Sequence, residues 1–234
     1  MGYGKTTAVV SDIHLGARNS RPTDLLRFLD EHDPDRLIIN GDLFDSPQFG
    51  ELRDDELRLV EALRERAEQS TIDFIKGNHD PKPHFFKALL GFECHHELIL
   101  SDLDDGPCLV SHGDRWDHSM SWPAWIIRGA DYVYGVTQKV DRSHSLARQL
   151  KHRCKWFTRV VHEVRVKAAA EATRREFGSV VVGHTHVFED RRDGPVRYIN
   201  TGCWTERPMG YAIIRDGQIE QRLWTPPTRA VVGV

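Results

Sequence analysis

Cysteine is scarce and unpatterned in this chain of 234 residues: Cys94, Cys108, Cys154 and Cys203 show neither C-x-x-C spacing nor the density of a small secreted domain. A zinc knuckle and a disulfide framework are therefore excluded as organising principles, and a reducing, cytoplasmic setting is expected. No apolar run approaches the roughly 18 residues that a membrane span needs. A basic segment followed by an apolar one, the mark of a secretory signal, is missing as well. Charge of one sign is also lacking, since 32 Lys and Arg against 35 Asp and Glu leave a formal charge of -3. With 39% hydrophobic and 29% charged residues, the composition is that of an ordinary globular protein long enough to bury a sizeable core, and residues 1–234 are expected to form one domain. Two short N-terminal patterns carry nothing. Gly4-Lys5-Thr6 has the tail of a phosphate-binding loop without the earlier glycine or a preceding strand. Met1-Gly2 with Thr6 fits a myristoylation pattern short enough to arise by chance.

What the chain does have is alternation. TTAVVSD (6–12) is β-rich, RPTDLLRFLDEH (21–32) spaces Leu25, Leu26, Phe28 and Leu29 as a helix does, and DRLIING (35–41) is a strand that stops at glycine. A second helix is expected over 53–69, where Leu57, Val60, Leu63 and Ala67 recur at three and four residues, followed by a strand in TIDFIKG (71–77). Such alternation predicts a layered α/β domain. Further strands are expected at 97–100, 107–111, 179–183, 196–200, 210–215 and 218–224, and short turns such as Asp193-Gly194 and Asp216-Gly217 predict an antiparallel hairpin sheet in the second half. Two sheets back to back, flanked by helices, is the simplest assembly.

The chemistry sits where these strands end. SDIHLG (11–16), NGDLFD (40–45), KGNHD (76–80), SHGD (111–114) and GHTH (183–186) each set a carboxylate, amide or imidazole beside glycine. Taken singly, Asp12 reads as a helix cap, Asn78 as a turn residue and His112 as a loop histidine. Taken together, five such strand ends in an α/β domain converge on one crevice, because the loops at the carboxyl ends of the strands share one edge of the sheet. Asp12, His14, Asp42, Asn78, His112, His184 and His186 make seven candidate ligands, too many for one tetrahedral zinc. Mixed imidazole and oxygen donors suit two divalent ions, with manganese the first expectation and iron or zinc suited as well, and the absence of thiolates speaks against a structural zinc or an iron–sulfur cluster. Two such ions, sharing a carboxylate, hold a hydroxide at neutral pH for attack on phosphorus.

The ordered set D-x-H, G-D-x-x-D, G-N-H-D, H-G-D and G-H-x-H, running from Asp12 to His186, closely resembles the calcineurin-like metallophosphoesterases. That resemblance implies a four-layer α/β/β/α sandwich. It further implies that Asp12, His14 and His186 hold one metal, that Asn78, His112 and His184 hold the other, and that Asp42 bridges them. His79 would face the scissile phosphate and stabilise charge or protonate the leaving oxygen. Asp80 would orient His79, and Asp45 would support a ligating histidine from behind.

Substrate choice is expected to come from the interval between HGD and GHTH, read as an inserted helical cap over residues 115–178. Between Arg115 and Phe177 stand 13 Lys and Arg against 6 Asp and Glu, interleaved with Trp116, Trp122, Trp125, Tyr132, Tyr134, Trp156 and Phe157. In one reading the aromatics are a small core and the bases a solvated face. In the other, Arg148, Lys151, Arg153 and Lys155 receive an anionic substrate. The cap, the SDIHLG and GDLFD motifs and the late NTGCW (200–204) are most similar to the UDP-2,3-diacylglucosamine pyrophosphatase group, which carries arginine at the position of His79. That similarity implies a phosphoester or nucleotide-diphosphate substrate, lipid-bearing in this group, with contact at the inner face of a membrane. A nuclease or a cyclic-nucleotide phosphodiesterase would use the same basic lid with stacking aromatics, nucleic acid being the less favoured partner. Two further classes stay open: a binding module without catalysis, although all seven ligand positions are filled, and a single-zinc hydrolase, which would leave at least three candidate ligands idle.

Overall fold

A computed structural model describes residues 5–46, 52–118, 155–192 and 194–227. Eleven strands in them form two sheets. The first takes β1 (Thr7–Val10), β2 (Arg36–Asn40), β3 (Thr71–Ile75), β4 (Glu93–His95), β10 (Met209–Arg215) and β11 (Gln218–Trp224), in the order β11-β10-β1-β2-β3-β4. The second takes β5 (Leu98–Leu100), β6 (Cys108–Val110), β7 (Ser179–Val182), β8 (Phe188–Arg191) and β9 (Arg197–Thr201), in the order β5-β6-β7-β9-β8. Strands β1 to β4 run parallel, and so do β6, β7 and β9.

The period-2 alternation of each strand decides which layer its side chains enter. Val9, Ile38 and Ile75 of the first sheet meet Cys108, Val110, Val181 and Ile199 of the second in a core between the sheets. Their neighbours Ala8, Val10, Leu37, Ile39 and Phe74 point the other way. There they pack on Leu25 and Phe28 of α1 (Pro22–His32), Leu59 and Leu63 of α2 (Asp54–Ala67) and Phe86 of α3 (Pro83–Leu90). On the far side, Leu109, Val180, Val182 and Tyr198 are covered by α4 (Lys155–Arg174), whose Val160, Val164, Ala168 and Ala172 repeat every fourth residue along one stripe. The result is the expected sandwich of helix, sheet, sheet and helix. Among the described residues, no helix is long and apolar enough to cross a membrane.

Three readings are corrected. The second half of the chain is not an antiparallel hairpin sheet: β10 and β11 join the first sheet beside β1, and β6, β7 and β9 are parallel. Turn length reveals which strands form a hairpin but not which sheet the hairpin extends. The span 115–178 is not a cap throughout, because α4 is the outer layer over the second sheet, held there by its own apolar stripe. Residues 119–154, including Arg148, Lys151 and Arg153, lie outside the described residues, and Lys155 is the first residue of α4. Finally, α3, β4 and β8 are elements with no counterpart among the expected ones. PHFFKALL is too short for a clear period, yet Pro83 at its start and Gly91 at its left-handed C-cap delimit it as a helix.

Candidate metal centre

All five motifs lie at carboxyl ends of parallel strands: β1, β2 and β3 in the first sheet, β6 and β7 in the second. The loops leaving β1 and β2 continue side by side. Ile13 N and His14 N both donate to Asp42 O at 3.0 Å, Leu15 N to Leu43 O at 2.8 Å and Asp45 N to Leu15 O at 2.9 Å. That pairing places His14 against Asp42 and Asp45. On the other side, Gly183 N donates to His112 O at 2.9 Å, and His184 N lies 3.1 Å from Asp12 Oδ2.

Three sets of ligand atoms converge, each within 4.8 Å: Asp12, His14 and His186; His14, Asp42 and His79; Asp42, His112 and His184. Asp42 and His14 are each shared by two sets. Asp42 Oδ2 is 3.8 Å from His14 Nε2 and 3.2 Å from His112 Nε2, while its Oδ1 accepts from His79 N at 3.0 Å. His186 Nε2 is 3.2 Å from both Asp12 Oδ1 and His14 Nε2. Five of these residues hold left-handed backbone, at φ of 55° (Asp12), 51° (His14), 53° (Asp42), 63° (His184) and 59° (His186). Such strain costs roughly 1–2 kcal/mol per non-glycine residue and collects at functional sites. The flanking glycines are explained by contact: a Cβ on Gly41 would sit 2.2 Å from His112 Nδ1, and one on Gly183 would sit 2.5 Å from Asp12 Oδ2. Any larger residue there would push a candidate ligand out of place.

The donor set fits divalent cations. Asn78 Oδ1 is buried without a hydrogen-bond partner, a state that costs about 1–3 kcal/mol unless something accepts its lone pairs, and His112 Nε2 is buried with the Asp42 carboxylate beside it at 3.2 Å. His112 Nδ1 is held 2.9 Å from Asn40 O, so the ring donates there and Nε2, facing Asp42, is the nitrogen that can hold a cation once its proton is lost. In the same way, His14 Nδ1 meets Asp45 Oδ1 at 3.1 Å. Burial opposes charge on these groups, but their mutual attraction prevails. Asp12, beside His186, is held at about 2, and Asp42, beside His112 and His14, lies well below the usual carboxylate range. Against the same desolvation, the carboxylates raise His112 (Asp42) and His186 (Asp12) to about 10. Protons thus balance charges that a cation would balance instead, and cation binding releases them.

Asp80 does not orient His79. Its carboxylate is buried and accepts from Asp42 N at 2.7 Å, Gly77 N at 2.9 Å and Phe44 N at 3.2 Å, tying the β2 and β3 loops together. Burial and the nearby Asp42 carboxylate push it up to about 7, against the pull of those amides. The ring of His79 is exposed and rests instead on Asp45 O, 2.8 Å from Nδ1. Several supporting residues are assigned no role from the sequence. Asn200 Nδ2 donates to Gly183 O and Thr185 Oγ1, and Thr201 Oγ1 bridges Val182 O and Ser11 Oγ, so the NTG of NTGCW joins the ends of β1 and β7. Buried Glu56 accepts from Gly16 N at 2.8 Å and Arg53 N at 2.9 Å, anchoring the loop after His14. Asp117 meets His184 Nε2 at 2.9 Å.

The family model for the calcineurin-like phosphoesterase superfamily domain matches residues 6–215. The chain belongs to this superfamily. It is a metal-dependent hydrolase acting on phosphoester bonds. Among solved structures, the phosphoesterase YfcE from E. coli is 17% identical, with 90% of this chain and 88% of that chain covered and a TM-score of 0.51. A phosphodiesterase from an archaeon is 15% identical over 94% of this chain and 99% of its own, with a TM-score of 0.50. At these identities the likeness is one of fold. No curated protein matches the chain.

Proposed function

We propose that this superfamily member is a two-metal phosphohydrolase acting on a nucleotide-diphosphate or related phosphoester that carries an apolar group, as UDP-2,3-diacylglucosamine does. The observation that carries the two-metal reading is the sharing of Asp42 between sets of ligand atoms that otherwise differ. Asp12, His14 and His186 would hold one ion, Asn78, His112 and His184 the other, and Asp42 both. Manganese is the first candidate, with iron and zinc also suited to these donors. Bound there, divalent ions supply Lewis acidity toward phosphoryl oxygens and lower the pKa of water.

The chain's own residues do the rest. Ionised Asp42 stands between the two groups, fixed by His79 N and Asp80. His79 Nδ1–H is donated to Asp45 O, so in the imidazolium form the proton on Nε2 is the one the ring would give to the leaving oxygen, returning it to the neutral imidazole. Support for an apolar substrate portion comes from a cleft of about 230 Å³ that opens beside His186 and is lined by Phe157, Val187, Phe188, Pro208 and Leu223. Nucleic acid is supported less, because four of the described basic residues of the 115–178 span are engaged in ion pairs. Arg115 pairs with Glu97 and Glu171, Arg165 with Glu189, Lys167 with Glu163, and Arg175 with Glu97. A site in the cytoplasm, at the inner face of a membrane, suits such a substrate.

The test is a manganese-supplemented hydrolysis screen run beside a measurement of metal content. The panel holds p-nitrophenyl phosphate, bis-p-nitrophenyl phosphate, UDP-diacylglucosamine and single-stranded DNA. Preference for the UDP-lipid with two ions bound is the expected result. Cleavage of the diester or DNA alone would replace the substrate reading with a phosphodiesterase. Silence on all four, with fewer than two ions, would favour a binding module.

A further inference from the structure

Three imidazoles of the centre have one nitrogen held by an oxygen of a different kind: a backbone carbonyl for His112, Asp45 for His14 and Asp117 for His184. The two carboxylates are not equivalent. The side chain of Asp45 is 45% exposed, whereas that of Asp117 is 6% exposed and sits 2.9 Å from His184 Nε2. A charged hydrogen bond sheltered from water is the stronger and the more directional of the two.

The fold also places Asp117 with care. It follows a short 3-10 turn (Asp114–Trp116), and its N donates to Asp114 O at 3.0 Å. The turn is pinned on its far side. Arg115 reaches Glu97 at 2.8 Å and Glu171 of α4 at 3.1 Å, Trp116 Nε1 donates to Glu171 Oε2 at 2.9 Å, and Arg175 holds Glu97 at 2.7 Å. Trp116 itself is buried against the stripe of α4. The outer helical layer is thereby linked, through one turn, to a histidine of the centre.

We infer that Asp117 is a positioning residue for metal binding: it holds His184 in the tautomer protonated at Nε2, so that Nδ1 offers its lone pair to the cation held with Asp42, Asn78 and His112. The inference rests on the two-metal reading above. An Asp117 that served only as an ion-pair partner would affect folding, not the affinity of one site. Outer partners of ligating histidines contribute about 10–100-fold to metal affinity. That loss should fall on the site of His184 and spare the one formed by Asp12, His14 and His186.

The experiment strips the full-length protein of metal, reloads it with manganese against a chromophoric chelator, and repeats the titration with cobalt, whose visible spectrum reports ligand geometry. The parent is expected to bind two ions. Asp117→Ala should keep one ion at parental affinity and bind the second about 10–100-fold more weakly, with an altered cobalt spectrum. Asp117→Asn retains the volume and an acceptor oxygen without the charge, and should fall between the two while melting, metal-free, at the parental temperature. If Asp117→Ala does not fold, Asp117→Asn decides by the same readings. Two ions at parental affinity in the variants, or equal weakening of both ions, would overturn the inference. A parent that binds two ions but hydrolyses no phosphoester would remove the functional reading and leave this one standing. A parent that binds none would overturn both.

Discussion

Replacing Gly77 with Ala adds one carbon atom and tests the centre without altering any candidate ligand. A Cβ at that position would lie 2.1 Å from Asp42 Oδ1, 2.5 Å from Asp42 N and 2.8 Å from Asp42 Cγ. Ordinary contact begins at 3.4 Å, so close packing requires a displacement of roughly 1 Å. Asp42 resists it, being 2% exposed, with Oδ1 bonded to His79 N and its own N bonded to Asp80. Overpacking of this kind costs about 1–3 kcal/mol, which in a chain of this length lowers Tm by about 2–12 °C. Shifting a reacting or positioning group by about 1 Å costs on the order of 100-fold in turnover. The assay combines calorimetry, metal content after reloading with manganese, and turnover of bis-p-nitrophenyl phosphate. The expected variant is folded, melts lower, holds fewer than two ions and turns over at least about 100-fold more slowly. One that keeps two ions, the parental Tm and the parental rate would show that Asp42 is not the shared ligand.

Three other outcomes are expected. Asp42→Ala removes the shared carboxylate and should abolish activity together with one or both ions, so an active variant with two ions would defeat the dinuclear arrangement. His79→Ala should retain both ions, by elemental analysis, while turnover falls by about 100- to 10,000-fold, the usual weight of a general acid; loss of metal would make His79 a ligand. Glu97 lies outside the centre and is held at about 2 by Arg175 and then Arg115. A carboxylate depressed on folding stabilises the native state above its unfolded pKa of about 4.3 and loses that contribution as pH falls toward 2. Because the group is partly solvated, each pair is worth only about 0.2–1 kcal/mol. Glu97→Gln should therefore flatten the acid limb of the Tm against pH profile between about 4.3 and 2, and an unchanged slope there would show the pairs to be inert.

Most of the element order, though not the short α3, β4 and β8, the strand ends that carry chemistry and the seven candidate ligands are legible in the sequence, since each depends on local pattern. Strand period, helix spacing and a glycine beside a polar residue are properties of neighbours along the chain. Even the reason for those glycines is hinted at by their position, although only contacts across the loops, such as Gly183 against Asp12, explain why no Cβ is tolerated.

What only the tertiary structure decided involves pairings between residues remote in sequence. Whether β10 and β11 extend the first sheet or the second is set by β1, some two hundred residues earlier, which offers β10 an antiparallel edge. Residues 155–174 read as a basic cap by charge, yet a stripe of Val160, Val164, Ala168 and Ala172 commits them to the second sheet, because burying apolar area outweighs the solvated charges on the opposite face. Asp80 stands next to His79 in sequence but turns away from it, since three backbone amides satisfy a buried carboxylate better than an exposed ring could. Asp117 has no motif of its own and meets His184 only when β7 brings that residue beside the turn after β6. The choice of candidate ligands is thus local, while the orientation of each depends on hydrogen bonds that exist only once both sheets are assembled.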